Sequence, residues 1–192
     1  MPIHKFTAQE YADLEAKADY RSEYYNGEIF AMAGGTDVHS DLCSAMIEDL
    51  RRQTRRGSCR VYTSDLRIHV RASGLQTYPD VSVVCGPRQY WEKRTDCIEN
   101  PIVIVEVLSE GTAGYDRGKK FENYKLIDSL REYVLVWQTR IRMEVFRRDD
   151  GGEWSHEFVE GKRGKLTLGS IGATISLARA YSGIELPPEA DW

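Results

Sequence analysis

The chain has 192 residues, of which 41% are hydrophobic and 29% are charged, and its formal net charge is −4. These fractions are typical of a globular protein and exclude disordered and fibrous chains. The length favours one domain with a sizeable core, over residues 1–192. The negative net charge argues against a general polyanion-binding protein.

Two absences restrict the class of protein further. No apolar run approaches the roughly 20 residues that a helix needs to cross a bilayer, and residues 1–10 lack the pattern of a signal peptide. We therefore expect a cytoplasmic protein with no membrane partner. The four cysteines form no C-x-x-C pair, so in a reducing compartment they are expected to be small buried hydrophobic residues and not the ligands of a structural zinc site. They are Cys43, Cys59, Cys85 and Cys97.

The first third of the chain predicts two helices with a hairpin between them. Thr7 and Glu10 have the spacing of a capping box, which starts a short helix that ends near Ala18. Asn26-Gly27 between β-prone residues predicts a tight hairpin and places Glu28 at the start of the returning strand. A longer helix follows over residues 36–56. Its apolar residues recur every four positions, at Val38, Leu42, Met46 and Leu50.

Two polar features of the longer helix allow more than one interpretation. His39 lies in its first turn, where a single histidine is more often a surface or capping residue than a ligand. Five arginines within ten residues near its other end could contact phosphate. They also complement the dipole of a solvated helix end, which is the interpretation that the pattern by itself favours. These arginines are Arg51, Arg52, Arg55, Arg56 and Arg60.

The middle of the chain predicts the strands of a mixed sheet. Residues 60–71 alternate as a bulged strand with one buried face, and residues 78–85 form a second strand. Residues 101–109 are a nearly continuous apolar run, typical of a strand buried on both faces. A helix over residues 116–128 and an apolar strand over residues 133–137 then complete a crossover unit.

The last part of the chain predicts antiparallel strands. Residues 141–146 and 154–159 alternate on either side of a turn, and shorter strands are expected near Leu166 and Ile175. The predicted fold is therefore α/β, with a central mixed sheet flanked by helices and antiparallel C-terminal strands.

One carboxylate interrupts the apolar run of residues 101–109. An ionised Glu106 in a buried strand is costly unless it is paired or binds a metal; the alternative is that the strand reaches solvent there. Asp80 starts the strand before it, and Lys120 lies near the start of the helix after it. If the two strands are neighbours, the two carboxylates meet at one end of the sheet and suit Mg²⁺. A lysine beside such an ion can orient an attacking water.

An ordered set of motifs resembles one group within the PD-(D/E)XK nuclease superfamily. This is the restriction-endonuclease-like (Uma-type) family, whose members are mostly of unknown function. The resemblance includes His39 and covers most of residues 6–180. The motifs are Tyr78-Pro79-Asp80-Val81, Ile104-Val105-Glu106-Val107-Leu108-Ser109 and Asp116-Arg117-Gly118-Lys119-Lys120-Phe121-Glu122-Asn123-Tyr124, with Tyr25-Asn26-Gly27-Glu28 before them and Leu130-Arg131-Glu132-Tyr133-Val134-Leu135-Val136 after them.

The resemblance implies a restriction-endonuclease-like core and assigns residues to a metal site. Asp80 and Glu106 would be the metal-binding carboxylates, and the main-chain carbonyl of Val107 would be a further ligand. The implied cofactor is Mg²⁺, with Mn²⁺ able to replace it.

The catalytic lysine departs from the superfamily pattern, which places it two residues after the glutamate. This chain has Leu108 there. In the resembling group the following helix supplies the lysine, which indicates Lys120, with Lys119 as the rival. Glu28 resembles an additional acidic residue that many such nucleases carry near the site. Lesser candidates are His39 and Asp65.

The function that the resemblance implies is a Mg²⁺-dependent endonuclease that hydrolyses DNA phosphodiester bonds. Asp80 and Glu106 would hold the ion, and Lys120 would position the attacking water. A homodimer is a further expectation by analogy. Two alternatives stay open. One is a non-catalytic DNA-binding or interaction module with the same fold, which the missing lysine at position 108 favours; the other is an enzyme for another phosphorylated substrate.

Overall fold

The computed structural model describes residues 4–187, and its largest element is a six-stranded mixed sheet. Its two central strands are parallel and the other neighbours are antiparallel. A two-stranded antiparallel sheet follows it in the chain. In spatial order the six strands are β11 (Trp154–Glu160), β10 (Arg142–Arg148), β9 (Glu132–Trp137), β8 (Val103–Leu108), β6 (Val81–Cys85) and β3 (Cys59–Thr63), and the later pair is β12 (Lys165–Leu168) and β13 (Ala173–Ser176). The predicted α/β architecture with antiparallel C-terminal strands is confirmed.

A second sheet of five short strands carries the N-terminal hairpin. The hairpin turns at Asn26 and Gly27, whose φ angles are 51° and 86°, as the Asn-Gly signal predicts. The predicted single strand over residues 60–71 is wrong. A turn closed by a hydrogen bond from Leu66 N to Thr63 O divides it between the two sheets. The strands are β2 (Glu28–Ala31), β1 (Ser22–Tyr25), β5 (Gln76–Thr77), β4 (Arg67–His69) and β7 (Cys97–Ile98).

Two helices precede the six-stranded sheet in the chain, α1 (Ala8–Glu15) and α2 (Asp37–Thr54). Thr7 and Glu10 form the predicted capping box. The predicted apolar stripe of α2 packs on the face of β8 that carries its odd-numbered residues. Among the described residues, no helix is both long enough and apolar enough to cross a bilayer. The ends of the predicted domain, residues 1–3 and 188–192, lie outside the described part of the chain.

The opposite face of β8 carries Ile104, Glu106 and Leu108 and packs against the helix of the crossover. That helix starts and ends earlier than the predicted residues 116–128. Its first turn continues into a π-helical segment, a feature that is frequent at functional sites. Its parts are α3 (Ala113–Tyr115), the π-helical segment (Asp116–Lys120) and α4 (Phe121–Tyr124); the other helical elements are α5 (Leu177–Ala180) and two 3₁₀ turns (Trp91–Lys93 and Gly169–Ile171).

The cysteines depart from the prediction at one pair. Cys59 and Cys85 form a disulfide bond, because they lie directly opposite each other in the register of β3 and β6. Their separation of 26 residues carries no sequence signal for this pairing. Cys97 is buried, as expected, whereas Cys43 is half-buried.

A buried carboxylate fastens the π-helical segment to the sheet. Glu144 of β10 accepts hydrogen bonds from Arg117 at 2.7 Å, from Trp137 at 2.8 Å and from Arg142 at 3.1 Å. Burial by itself raises the pKa of Glu144, but the hydrogen bonds from Trp137 and Arg117 outweigh it and lower the pKa below its ordinary value. The folded state therefore binds the proton less tightly than the unfolded state does.

We expect Glu144→Gln to lower the free energy of unfolding by about 2 kcal/mol at pH 7, since it removes a charged acceptor from four donors, of which His156 is the fourth. A lowered pKa contributes stability above the unfolded value and loses it as pH falls through the folded value. The deficit should therefore shrink as pH falls below about 4. Denaturant unfolding of the natural protein and the variant at pH 7 and pH 3.5 measures this deficit. Glu157→Gln, at an exposed position, is the control and should change stability by about 0.5 kcal/mol or less.

Candidate functional site

Strand register brings Asp80 beside Glu106. Val81 pairs with Val105 across the antiparallel strands β6 and β8, so Asp80 falls next to Glu106 at one end of the pair. The Asp80 N–H lies 3.3 Å from Glu106 Oε2, and the Val107 N–H donates to Asp80 Oδ2 at 2.8 Å. Asp80 and Glu106 thus meet, as the sequence predicts if their strands are neighbours.

The two oxygens of Glu106 have different environments. Oε1 accepts a hydrogen bond from the Tyr124 hydroxyl at 2.9 Å and lies 2.8 Å from Lys120 Nζ. Oε2 faces Asp80. The side chain is buried, and burial raises the pKa of Glu106 to about 8, although the Lys120 ammonium works in the opposite direction. The alternative that the strand reaches solvent at Glu106 is therefore wrong.

Lys120 is buried, whereas Lys119 is exposed. The spacing of Asp116, Lys120 and Tyr124 by four residues places all three on one side of the crossover helix. Burial by itself lowers the pKa of Lys120, but the surrounding acidic groups, Glu106 first, raise it well above its ordinary value, so the ammonium stays charged. Of the two candidate lysines, the structure brings Lys120 to Glu106 and into the cavity that Asp80 also lines.

Glu23 is a site residue that the sequence analysis missed. Its Oε1 lies 3.4 Å from Lys120 Nζ, and it also accepts hydrogen bonds from Thr77 and Tyr115. Glu28 is exposed and does not line the cavity around Lys120. Glu23 pairs with Phe30 in the hairpin, whereas Glu28 lies about 7 Å closer to the turn. No alternation of side chains in β1 could have pointed to Glu23, because three consecutive residues of that strand are buried.

His39 is also close to the carboxylates. Its Nε2 lies 3.2 Å from Asp80 Oδ2, and its own N–H donates to the N-cap oxygen of Thr36 at 3.1 Å. The hydrogen bond with Asp80 raises the pKa of His39 against the effect of burial. Gly35 permits this position, since a Cβ there would lie 2.8 Å from His39 Nδ1. Asp65, by contrast, is exposed and bonds to Thr63 and Arg21.

One cavity of about 340 Å³ is lined by side chains among which carboxyl groups outnumber basic groups. Four carboxylates face it, and among its described lining residues Lys120 and His39 are the basic ones. Burial raises the pKa of Asp116 as well as that of Glu106. The carboxylates are Glu23, Asp80, Glu106 and Asp116. The cavity is therefore suited to a cation.

The donor set fits a hard divalent cation. Asp80 Oδ1 accepts no hydrogen bond from the described residues, and Glu106 Oε2 has the 3.3 Å contact with Asp80 N–H as its hydrogen bond. Carboxylate oxygens with free lone pairs and room for water are the ligands that Mg²⁺ takes. Val107 also lines the cavity; a ligand role for its carbonyl stays a prediction.

The arginine-rich segment lies away from this cavity. Arg51 and Arg52 are in the last turn of α2, and Arg52 pairs with Asp49. His39 is in the first turn, so Arg55 lies about 24 Å farther along the helix axis. This position agrees with the interpretation of a solvated helix end.

Comparison with known proteins assigns the chain to a family. The model of the Uma2 family, described as "Putative restriction endonuclease", matches residues 8–179. The chain belongs to the Uma2 family. Two relatives are uncharacterized proteins of Synechocystis sp.: one is 34% identical over 183 residues, which are 95% of each chain, and the other is 32% identical over 160 residues, which are 83% of this chain and 90% of that protein.

A solved structure shows the same fold. It is that of "a putative nuclease belonging to DUF820" from Anabaena variabilis, with a TM-score of 0.75 at 18% identity. The likeness covers 92% of this chain and 98% of that chain. The resemblance stated from the motifs and the predicted fold class are therefore confirmed.

Proposed function

We propose that this Uma2 protein is a Mg²⁺-dependent endonuclease that hydrolyses DNA phosphodiester bonds. The observation that carries the proposal is the meeting of Asp80, Glu106 and Lys120 in one cavity lined by more carboxyl groups than basic groups. Two carboxylates can hold an ion that polarises a phosphodiester, and a lysine beside them can orient the attacking water. The family description and the fold of the Anabaena protein point to the same class of reaction.

Asp80 and Glu106 would hold the ion, with the Val107 carbonyl as a third protein ligand. A divalent ion bound there supplies a Lewis acid for a phosphate oxygen and lowers the pKa of a coordinated water. Mn²⁺ shares the preference for oxygen ligands and is expected to replace Mg²⁺.

Lys120 would orient the attacking water and offset negative charge that develops on the phosphate. Its ammonium is kept charged and in place by Glu23, Glu106 and Asp116, at 3.4, 2.8 and 3.5 Å. Tyr124 would act as a positioning residue, because its hydroxyl fixes Glu106 Oε1 and leaves Oε2 directed to Asp80.

Nicking of supercoiled plasmid tests the proposal. We expect nicked DNA with Mg²⁺ or Mn²⁺ and none with a chelator. Linear product at rising protein concentration would indicate that a homodimer cuts both strands. Salt-dependent DNA binding without cleavage under all metal conditions would instead support the non-catalytic module.

Two hairpin glutamates give a matched pair for the same assay. Glu23→Gln is expected to slow nicking about tenfold or more, since outer partners of metal sites have effects of about 10–100-fold. Glu28→Gln should leave the rate unchanged, because Glu28 is exposed and outside the cavity. If Glu28→Gln slows nicking and Glu23→Gln does not, Glu28 belongs to the site and the role proposed for Glu23 is wrong.

A further inference from the structure

A second group of possible metal ligands lies on the α2 side of Asp80. His39 and Cys43 are four residues apart on α2 and therefore share a face of the helix. Cys43 Sγ lies 3.5 Å from His39 Nδ1, and His39 Nε2 lies 3.2 Å from Asp80 Oδ2. One ligand atom from each of the three side chains falls within 4.8 Å of the others. Glu106 and Lys120 are not part of this group.

A tetrahedral ion requires its donors closer together than the 4.8 Å within which these three ligand atoms lie. Zn²⁺ binds nitrogen at about 2.0–2.1 Å, carboxylate oxygen at about 2.0–2.2 Å and sulfur at about 2.3 Å, so its donors lie roughly 3.3–3.6 Å apart. A single ion takes one ring nitrogen, which requires the imidazole to turn about its Cβ–Cγ bond. Gly35 has no Cβ to obstruct the ring, where one would lie 2.8 Å from Nδ1 in the present position.

The group is accessible from solvent. His39, Cys43 and Asp80 line a cavity of about 580 Å³ that lies next to the one described above and shares His39 and Asp80 with it. The side chains of His39 and Asp80 are 21% and 17% exposed. An ion can therefore reach the three ligands, and a water can complete the coordination.

The ligand types select a different ion from the one that Asp80 and Glu106 suit. Thiolate and imidazole favour Zn²⁺, whereas Mg²⁺ requires oxygen ligands. Coordination replaces the S–H bond of Cys43 by an S–Zn bond, and the proton passes to solvent. Cys43, which otherwise packs against the edge of the core, would thereby have a role that the proposed hydrolysis does not use.

We propose that His39, Cys43 and Asp80 form a Zn²⁺ site that competes with Mg²⁺ for Asp80. The binding part stands by itself, whereas the competition rests on the proposed function. Zn²⁺ at this site withdraws one of the two carboxylates that hold the hydrolytic ion. Binding of the hydrolytic ion would thus depend on the concentration of a thiolate-binding metal.

Cobalt substitution tests the binding part without any activity measurement. We expect one equivalent of Co²⁺ to give a thiolate-to-cobalt charge-transfer band that Zn²⁺ abolishes and Mg²⁺ does not. Cys43→Ser should lose the band and weaken Co²⁺ binding by at least about tenfold. Cys97→Ala removes the other free cysteine of the described chain and should keep the band. A band that survives in Cys43→Ser, or no band in the natural protein, overturns the site.

The competition is measured as binding of Mn²⁺ with and without Zn²⁺. Zn²⁺ should weaken Mn²⁺ binding in the natural protein and in Cys97→Ala but not in Cys43→Ser, with unfolding midpoints measured to verify that each variant is folded. Unchanged Mn²⁺ affinity in the presence of bound Zn²⁺ overturns the competition. Glu106→Gln separates the two proposals, because it should lose Mn²⁺ binding yet keep the cobalt band. A natural protein with the band but without Mn²⁺ binding contradicts the proposed hydrolytic function and leaves the Zn²⁺ site supported.

Discussion

Asp80→Asn is expected to abolish binding of Mn²⁺ or Mg²⁺ and to slow DNA cleavage by at least about 10²-fold, the effect of removing one principal electrostatic group from an active site. Asparagine keeps the shape of the side chain and can still accept the Val107 N–H, whose distance to Oδ2 is 2.8 Å. It removes the negative charge that would hold the ion. Calorimetric titration with Mn²⁺ and single-turnover cleavage measure the two effects.

Asp65→Asn is the matched control for that experiment. Asp65 is exposed, bonds to Thr63 and Arg21 and does not line the cavity. We expect unchanged metal affinity and unchanged cleavage in this variant. If Asp80→Asn behaves like Asp65→Asn, the assignment of Asp80 to a metal site is wrong, and the mechanism proposed from it is wrong as well.

Lys120→Met is expected to have the largest effect on stability, a loss of about 3–5 kcal/mol in the free energy of unfolding. The substitution removes the cation that lies within 3.5 Å of Glu23, Glu106 and Asp116 and leaves buried carboxylates without it. Cleavage should fall by about 10²–10³-fold, the effect of removing one electrostatic group that stabilises the transition state. Denaturant unfolding and single-turnover cleavage are the measurements.

The pH dependence of this variant follows from the pKa of Glu106, which burial already raises to about 8. Without Lys120 that pKa rises further, because Lys120 is what opposes the effect of burial. A carboxyl group with a raised pKa binds more protons in the folded state, so stability falls as pH rises from the unfolded value to the folded value. Lys120→Met should therefore lose more stability at pH 8 than at pH 5.

Lys119→Met is the control, since Lys119 precedes Lys120 and is exposed. It should change the free energy of unfolding by about 0.5 kcal/mol or less and leave cleavage intact. Equal losses of stability and of cleavage rate in the two variants would contradict the assignment of the lysine role to Lys120.

Local signals explain why much of the fold is predictable from the sequence. The Thr7 and Glu10 capping box, the Asn26-Gly27 turn and the four-residue stripe of α2 depend on neighbours within a few positions. The wrong prediction at residues 60–71 has a non-local cause. The alternation of side chains shifts by one residue between Thr63 and Leu66, which fits a bulge as well as a turn, and β3 and β4 prove to belong to different sheets.

The sequence by itself determined that Glu106 is an anomalous charge in a buried strand, with Asp80 as a candidate partner and Lys120 or Lys119 as the candidate lysine. An ionised group in an apolar run has an energetic cost that can be recognised without coordinates. The order of strands and helix around it limits the partners to a few residues.

Only the tertiary structure decided which remaining side chains join them. Four features depend on strand register and on how α2 packs against the sheet. They are the position of Glu23 instead of Glu28 beside Lys120, the hydrogen bond from the Tyr124 hydroxyl to Glu106, the Cys59–Cys85 bond and the closeness of Cys43 to His39. Register and packing arise from contacts between residues far apart in the chain. They therefore cannot be predicted from sequence spacing. The Zn²⁺ site proposed at His39, Cys43 and Asp80 could be recognised only from the tertiary structure.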